Sequence, residues 1–167
     1  ADDREDIAGY LAECRRRNLL AAEEHAMLQG VLEVSETQVR DIMVPRSHMV
    51  VLELDQSFDS LLDIILESGH SRFPVIGEDR DQVVGILLAK DILKRFRTDQ
   101  EAKELNLGDF LRPPVFIPES KRLNALLTQF RESHNHIAIV VDEYGGVSGL
   151  ATIEDVLEQI VGDIDDE

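Results

Sequence analysis

Residues 149–155 read Gly-Leu-Ala-Thr-Ile-Glu-Asp, and residues 85–91, 64 positions earlier, read Gly-Ile-Leu-Leu-Ala-Lys-Asp. Each stretch begins with a glycine after an apolar run, continues with apolar residues and ends with an aspartate at the start of a helical pattern. In the second copy a threonine, Thr152, stands three positions before the aspartate, Asp155. This echo predicts an internal repeat, and its second copy carries the residues better suited to binding a ligand.

The segments around these stretches follow one order of elements twice: strand, helix, strand, strand, helix. In the first unit, strands are predicted over Met49–Leu54, Phe73–Ile76 and Val83–Leu88. Its two helices are predicted to be one capped by Ser57 and one over Asp91–Arg97. In the second unit, strands are predicted over Val115–Ile117, Ile137–Val141 and Val147–Leu150. Its two helices are predicted to be one capped by Ser120 and one over Thr152–Val161. Two copies predict a mixed α/β (α+β) fold of two pseudo-symmetric halves, packed sheet to sheet with clefts between them.

The repeats divide the chain into five parts. A helical lead-in covers residues 1–38 and the first repeat covers 39–97, beginning with a short turn that ends at Pro45. A charged linker over 98–106 leads to the second repeat over 107–161, whose opening turn ends at Pro113. Residues 162–167 form an acidic tail. Since the chain starts without methionine and stops in that acidic run, we expect it to be a fragment of a longer protein.

The charge balance excludes one class of partner. The net charge is −17, and all 17 lysines and arginines lie at or before Arg131. The resulting field repels phosphate backbones, so we expect no nucleic-acid binding. The acidic end of the chain is interpreted as a solvated tail, and weak binding of divalent cations by its carboxylates is the alternative.

Cysteine usage and hydropathy indicate the compartment. The single cysteine, Cys14, excludes an internal disulfide and favours a reducing compartment. The longest apolar runs, such as Ile137–Val141, are much shorter than the roughly 20 residues that span a bilayer. We therefore expect a soluble, cytoplasmic fragment without direct membrane insertion.

Thr152 and Asp155 have two possible roles. Thr-x-x-Asp is a capping box, in which the two side chains satisfy the first amides of a helix, and this role alone would account for both residues. A helix start with free amides, a nearby glycine and a hydroxyl is also a way to hold an anion, and a carboxylate can accept two ribose hydroxyls. Only a wider pattern separates the two roles.

That wider pattern resembles a tandem CBS (cystathionine β-synthase-type) domain pair, also called a Bateman module. Stretches Arg-Asp-Ile-Met-Val-Pro-Arg at 40–46, Ser-Arg-Phe-Pro-Val at 71–75 and Pro-Glu-Ser-Lys-Arg at 118–122 are similar to the HlyC/CorC family, as is the whole of 137–158. Members of that family are associated with magnesium and cobalt efflux. The resemblance implies that a C-terminal transporter-associated domain follows the acidic tail in the parent protein.

The resemblance implies that AMP, ADP or ATP binds in the cleft between the repeats. It assigns Thr152 to phosphate, Asp155 to ribose and Leu150 to the neighbourhood of the base. From the other repeat it places five residues along the same cleft, namely His70, Ser71, Arg72, Phe73 and Pro74. Among these, Phe73 and Pro74 would contact adenine and Arg72 would reach phosphate, since a guanidinium is a fixed fork of donors. From the residues alone, Arg72 is equally well a solvent-facing charge at a strand end.

The symmetry-related cleft is predicted to bind a nucleotide more weakly. It would pair Leu88 and Asp91 with residues 135–138, so that a leucine stands where the phosphate-binding threonine would be. No arginine occupies the position that corresponds to Arg72. We therefore predict one strong nucleotide site in each chain.

Catalysis and metal binding are not expected. Ser71 follows His70, but no orienting acid or oxyanion hole stands at a readable spacing, so we assign no catalytic residue and no enzyme activity. His134 and His136 are interpreted as packing residues rather than metal ligands, because no cysteine is near them.

The resulting interpretation is a regulatory module that senses an adenine nucleotide. By resemblance it would form a flat homodimer and act on membrane transport machinery for Mg²⁺ or Co²⁺ at the inner face of the plasma membrane. Mg²⁺ accompanying ATP would offset the repulsion between triphosphate and an acidic surface. Two alternatives stay open: a structural dimerisation module with a vestigial cleft, and direct sensing of divalent cations by the acidic C-terminus.

Overall fold

The helical lead-in is the first feature of the fold. The computed structural model describes residues 3–98 and 106–162. Helices α1 (Asp3–Arg16) and α2 (Ala22–Val34) open the chain, and the turn between them contains Asn18 with φ 59°. This confirms the predicted lead-in. The linker that was predicted for 98–106 and the acidic tail fall almost entirely outside the described residues.

Both repeats show the predicted order of elements, and the first has one additional short strand at its start. After a 3₁₀ turn at Val39–Asp41, the first repeat contains β1 (Val44–Pro45), β2 (Leu52–Glu53), α3 (Phe58–Ser68), β3 (Arg72–Ile76), β4 (Val83–Leu88) and α4 (Ala89–Thr98). After a 3₁₀ turn at Leu107–Phe110, the second repeat contains β5 (Phe116–Pro118), α5 (Leu123–Ser133), β6 (Ile137–Val141), β7 (Val147–Thr152) and α6 (Ile153–Val161).

Two local predictions were wrong. The strand expected over Met49–Leu54 shortens to Leu52–Glu53, because residues 46–48 form a second 3₁₀ turn that brings Met49 into the apolar layer between the sheets. Ser120 does not cap α5, which begins at Leu123 with Arg122 in the capping position and no side-chain cap bond. The amide of Leu123 instead donates to the carbonyl oxygen of Thr37 at 3.0 Å, so the lead-in supplies the acceptor.

The two sheets are joined because the opening segment of each repeat pairs with a strand of the other repeat. One sheet has the order β1-β7-β6-β5 and the other has the order β2-β3-β4. Strand β1 enters the first repeat but pairs antiparallel with β7 of the second, with Val44 opposite Leu150. Reciprocally, Arg112 at the entry to the second repeat pairs with Ile86 of the first. This reciprocity confirms the pseudo-two-fold arrangement that the repeat predicted.

The core has three layers because the strands alternate their side chains between two faces. Between the sheets lie residues of both repeats, including Ile86, Leu88, Ile139 and Leu150. The outer face of each sheet is covered by its own helices. In the second repeat α2 joins that outer layer, where Val34 packs in one apolar cluster with Val156. The packing of the two sheets leaves a cavity at one edge, and the candidate site occupies it.

Candidate functional site

A cavity of about 350 Å³ lies between the repeats, where β3 begins and β7 ends. Four pieces of chain line it. The start of the first repeat contributes Val44, His48, Met49 and Val50. The loop before β3 and its first residue contribute Gly69, His70, Ser71 and Arg72, and the second repeat contributes Ile137, Leu150, Thr152, Glu154 and Asp155. Both halves of the fold are therefore needed to form this site, and its volume is in the range of small-molecule pockets.

The structure brings six of the eight predicted site residues to this cavity, namely His70, Ser71, Arg72, Leu150, Thr152 and Asp155. It does not bring Phe73 and Pro74 there. Phe73 is fully buried in the apolar core of the first repeat, beneath α3, because neighbouring residues of a strand face opposite sides and Arg72 faces the cleft. Pro74 is buried within β3, opposite Ile86 of β4. The proposed contact of Phe73 with adenine is therefore not supported.

Thr152 and Asp155 form the capping box at the start of α6. The amide of Asp155 donates to Thr152 Oγ1 at 3.2 Å, and the amide of Thr152 donates to Asp155 Oδ2 at 3.1 Å. Both side chains nevertheless line the cavity. Each has acceptor capacity beyond these bonds, since a carboxylate has two oxygens and a hydroxyl can also donate. The two roles that the sequence left open are thus compatible in one structure.

Arg72 is the cation at the polar end of the cavity. Its Nη1 lies 4.0 Å from Glu154 Oε1, and its side chain is 24% exposed against 64% for Glu154. Such a partly exposed pair holds the guanidinium only weakly. Arg72 is therefore oriented towards the start of α6 but can exchange its partner for another anion, such as a phosphate group.

The other end of the cavity is apolar. Val44, Met49 and Val50 come from the start of the first repeat, and Leu150 comes from β7, which pairs with β1. Met49 is 5% exposed and Leu150 is 8% exposed, so both are held firmly by the core beneath them. A polar end with Arg72 and an apolar end of aliphatic side chains suit a ligand that is charged at one end and flat and apolar at the other.

Sequence reasoning missed several lining residues, chiefly His48, Met49, Val50 and Glu154. The first three follow the motif that ends at Arg46, which was interpreted as a turn and as part of the family resemblance, and not as a neighbour of the cavity. Their position was not readable, because it depends on the pairing of β1 with the other repeat. Glu154 had a readable signal, since it lies between Thr152 and Asp155 and one helical turn places all three near the helix start.

The symmetry-related cleft is smaller, at about 140 Å³. Leu88 stands there in the place of Thr152, and Lys90 in the place of Glu154. Asp91 is tied to Arg112, whose Nη2 lies 3.4 Å from Asp91 Oδ2. Arg72 borders this cleft too, as does His136 from the corresponding position of the second repeat. The two clefts thus differ in both size and charge.

The described residues contain no cluster of three or more histidine, cysteine, aspartate or glutamate side chains able to hold a metal ion. Direct cation sensing by the C-terminus concerns residues 163–167, which lie outside the described part of the chain. Among the described helices, none is long and apolar enough to cross a membrane.

The two halves match a known domain. The CBS domain matches residues 39–98 and 107–162, which together exceed half of the chain. The chain therefore belongs to the CBS domain family and carries the domain twice. The pair is of the CorC type, as its relatives indicate.

Two relatives carry the name "Magnesium and cobalt efflux protein CorC". The protein of Pasteurella multocida is 50% identical over 165 residues, which cover 99% of this chain and 54% of that protein. The protein of Escherichia coli K12 is 48% identical over 165 residues, which cover 99% of this chain and 56% of that protein. The chain thus spans about half the length of the curated relatives it matches.

Solved structures agree with this assignment. The CBS domain of a bacterial CNNM/CorC family Mg²⁺ transporter is 39% identical, with a TM-score of 0.88 over 97% of this chain and 98% of that chain. A complex of such a domain with ATP is 42% identical, with a TM-score of 0.77 over 83% of this chain and 97% of that one. A CBS-domain pair with bound AMP from Klebsiella pneumoniae is 32% identical, with a TM-score of 0.63 over 75% and 99%.

Proposed function

We propose that this chain is a non-enzymatic regulatory module that binds an adenine nucleotide, AMP, ADP or ATP, in the cavity between its repeats. The observation that carries the proposal is the composition of that cavity, in which Arg72, Thr152 and Asp155 converge at one end and aliphatic side chains line the other. Related CBS structures were solved with ATP and with AMP, which supports this ligand class.

In this proposal each end of the cavity takes one part of the nucleotide. Arg72 and the hydroxyl of Thr152 hold phosphate, and Asp155 accepts hydrogen bonds from the ribose hydroxyls. Leu150 and Met49 enclose the base. Because α6 begins at Ile153, its first amides add partial positive charge on the phosphate side.

Mg²⁺ is proposed to matter most for the triphosphate. Glu154 lies at the phosphate end, 4.0 Å from Arg72, and the chain as a whole has a charge of −17. A bound triphosphate would add negative charge next to that carboxylate. A divalent cation bridging phosphate oxygens would reduce the repulsion, so we expect Mg²⁺ to strengthen ATP binding more than AMP binding.

We further propose that the module forms a homodimer and transmits its nucleotide state to transport machinery for Mg²⁺ or Co²⁺ on the cytoplasmic side of a membrane. Large apolar side chains on the outer helices of both repeats are exposed, namely Leu66, Leu93, Phe96 and Leu157. A second copy of the chain would bury them, as the resemblance leads us to expect. Nucleotide binding regulates the machinery only if it favours one arrangement of the repeats or of the two copies.

Isothermal calorimetry tests the binding proposal. AMP, ADP and ATP are titrated with and without Mg²⁺ into the wild-type chain, into Asp155→Ala and into the symmetry-related control Asp91→Ala. We expect heat from at least one nucleotide, loss of that heat in Asp155→Ala and little change in Asp91→Ala. Absence of heat with all three nucleotides in the wild type would contradict the proposal and favour a structural dimerisation module.

A further inference from the structure

The apolar side of the cavity includes a short segment that forms few backbone hydrogen bonds of its own. Residues 46–50, here called the entry segment, contain a single 3₁₀ turn and belong to neither sheet. Its internal backbone bond runs from the amide of Met49 to the carbonyl oxygen of Arg46, at 3.2 Å. Besides the packing of Met49 in the core, the position of His48, Met49 and Val50 in the cavity wall must therefore depend on bonds from other parts of the chain.

Arg80 supplies two of those contacts. It lies in the hairpin between β3 and β4, and its Nη1 donates to the carbonyl oxygens of Arg46 at 3.2 Å and Met49 at 3.4 Å. These two acceptors are the first residue of the turn and the residue that caps its end. One guanidinium thus bonds to both ends of the turn. His48, Met49 and Val50, which lie at the end of the turn and directly after it, line the cavity.

Asp81 joins the same segment to the second repeat. Its Oδ1 accepts a hydrogen bond from Arg46 Nη1 at 2.7 Å and another from the amide of Val147 at 3.0 Å. Val147 is the first residue of β7, the strand that carries Leu150 and Thr152 to the cavity. A single carboxylate oxygen therefore links the first repeat, the entry segment and the second repeat.

The hairpin that contains Arg80 and Asp81 is stabilised by hydrogen bonds of its own. The amide of Gly77 donates to the carbonyl oxygen of Gln82 at 2.9 Å, and the amide of Glu78 donates to the side chain of Gln82 at 2.8 Å. The amide of Asp81 donates to Asp79 Oδ1 at 2.8 Å. Because these hydrogen bonds fix the conformation of the hairpin, Arg80 and Asp81 can hold the entry segment in one position.

We propose that Arg80 and Asp81 are positioning residues that set the base side of the nucleotide cavity. This inference rests on the proposed function, and it adds residues that do not line that cavity. Phosphate and ribose would contact Arg72, Thr152 and Asp155, whose positions depend on β3, on the end of β7 remote from Val147 and on the capping box of α6. Loosening the entry segment should therefore weaken recognition of the base while leaving recognition of the ribose phosphate nearly unchanged.

The test compares two ligands that differ only in the base. Displacement of a fluorescent adenine nucleotide by AMP and by ribose 5-phosphate is measured for the wild type, Asp81→Ala, Arg80→Ala and Arg80→Lys. Glu78→Ala, which removes an exposed carboxylate from the same hairpin, is the matched control. Hydrogen exchange of the Met49 amide is measured on every variant without ligand, together with the thermal midpoint.

We expect Asp81→Ala and Arg80→Ala to weaken AMP binding about tenfold, a typical loss for a displaced binding group, and to change ribose 5-phosphate binding less than about twofold. Exchange of the Met49 amide should rise in both variants, and Arg80→Lys should restore part of the AMP affinity because an ammonium can still donate to the two carbonyls. Glu78→Ala should resemble the wild type.

Equal weakening of both ligands, or an unchanged Met49 exchange rate in Asp81→Ala and Arg80→Ala, would overturn the inference. The exchange measurement separates this inference from the proposed function. If the wild type binds no nucleotide but the Met49 amide exchanges faster in the variants, the proposed function fails and the positioning of the cavity wall by Arg80 and Asp81 stands.

Discussion

Thr152 and Asp155 are bonded to each other in both directions across the first turn of α6, at 3.2 Å and 3.1 Å. The same two side chains line the cavity between the repeats. Helix stability and ligand binding therefore depend on one pair of residues. A substitution in this pair has to be judged by both measurements.

Replacing Thr152 should show how much the capping box contributes to stability. Thr152→Ala is expected to lower the free energy of unfolding by about 1 kcal/mol, because the amide of Asp155 loses its acceptor. Thr152→Ser keeps a hydroxyl and should retain most of the stability. Thermal unfolding would report the difference as a shift of about 2–4 °C. A Thr152→Ala chain as stable as the wild type would show that the capping box contributes little.

Glu154→Gln should strengthen binding of the more highly charged nucleotide. Removing the carboxylate releases Arg72 from its partner at 4.0 Å and removes a negative charge from the phosphate end. The gain should be about two- to fivefold for ATP without Mg²⁺, as expected for a partly exposed ion pair, and smaller for AMP. Calorimetry with both nucleotides measures it. Glu158→Gln, on the same helix, is the control, and an equal gain there would point to net charge rather than to the pair.

One nucleotide should bind to each chain. The second cleft is smaller, has Leu88 in the place of Thr152, and has its aspartate tied to Arg112. Calorimetric stoichiometry with AMP or ATP should therefore be near one in the wild type. Two nucleotides bound with similar affinity would refute this expectation. Loss of binding in Asp91→Ala but not in Asp155→Ala would assign the strong site to the other cleft.

Gly149→Ala should destabilise the exchange of strands between the repeats. A Cβ at this position would overlap the carbonyl oxygen of Val44, in the strand pairing of β1 with β7. We expect a loss of about 1–3 kcal/mol in the free energy of unfolding, as for other overpacked sites. Gly9→Ala is the matched control, since nothing lies within 4 Å of an added Cβ there and α1 should gain up to about 1 kcal/mol. Denaturant unfolding of both variants measures the contrast, and equal stability would contradict the close approach.

A charge on the outer face of the helices should weaken self-association. Leu157 of α6 is 44% exposed and Phe96 of α4 is 40% exposed, on helices of different repeats. Leu157→Glu is expected to convert a dimer into monomers in sedimentation experiments at micromolar concentration, with an unchanged thermal midpoint at low concentration. Tyr144→Glu, at an exposed hairpin tip, is the control. A wild-type chain that sediments as a monomer would remove the dimer from the proposal.

Much of the fold was readable from local patterns. The repeat of Gly85–Asp91 in Gly149–Asp155 correctly predicted two similar halves, because strand and helix periodicities depend on neighbouring residues. Gly69 ends α3 with φ 69°, a left-handed conformation that is typical of a glycine directly after the last turn of a helix. The predicted cap at Ser120 was wrong because the acceptor for Leu123 comes from Thr37, far away in the sequence.

The site was readable in part for the same reason. Thr152, Asp155 and Arg72 stand at element boundaries, where the sequence pattern itself indicates exposed polar groups. Phe73 was assigned to the cleft by the family resemblance, although strand alternation turns its side chain into the core. The sequence by itself therefore determined the two-repeat architecture, since it follows from local periodicity, while the assignment of Arg72, Thr152 and Asp155 to the cavity came from the family resemblance. Only the tertiary structure decided the apolar wall of Met49 and Val50, the difference between the two clefts and the links of Asp81, because these depend on contacts between residues distant in the chain.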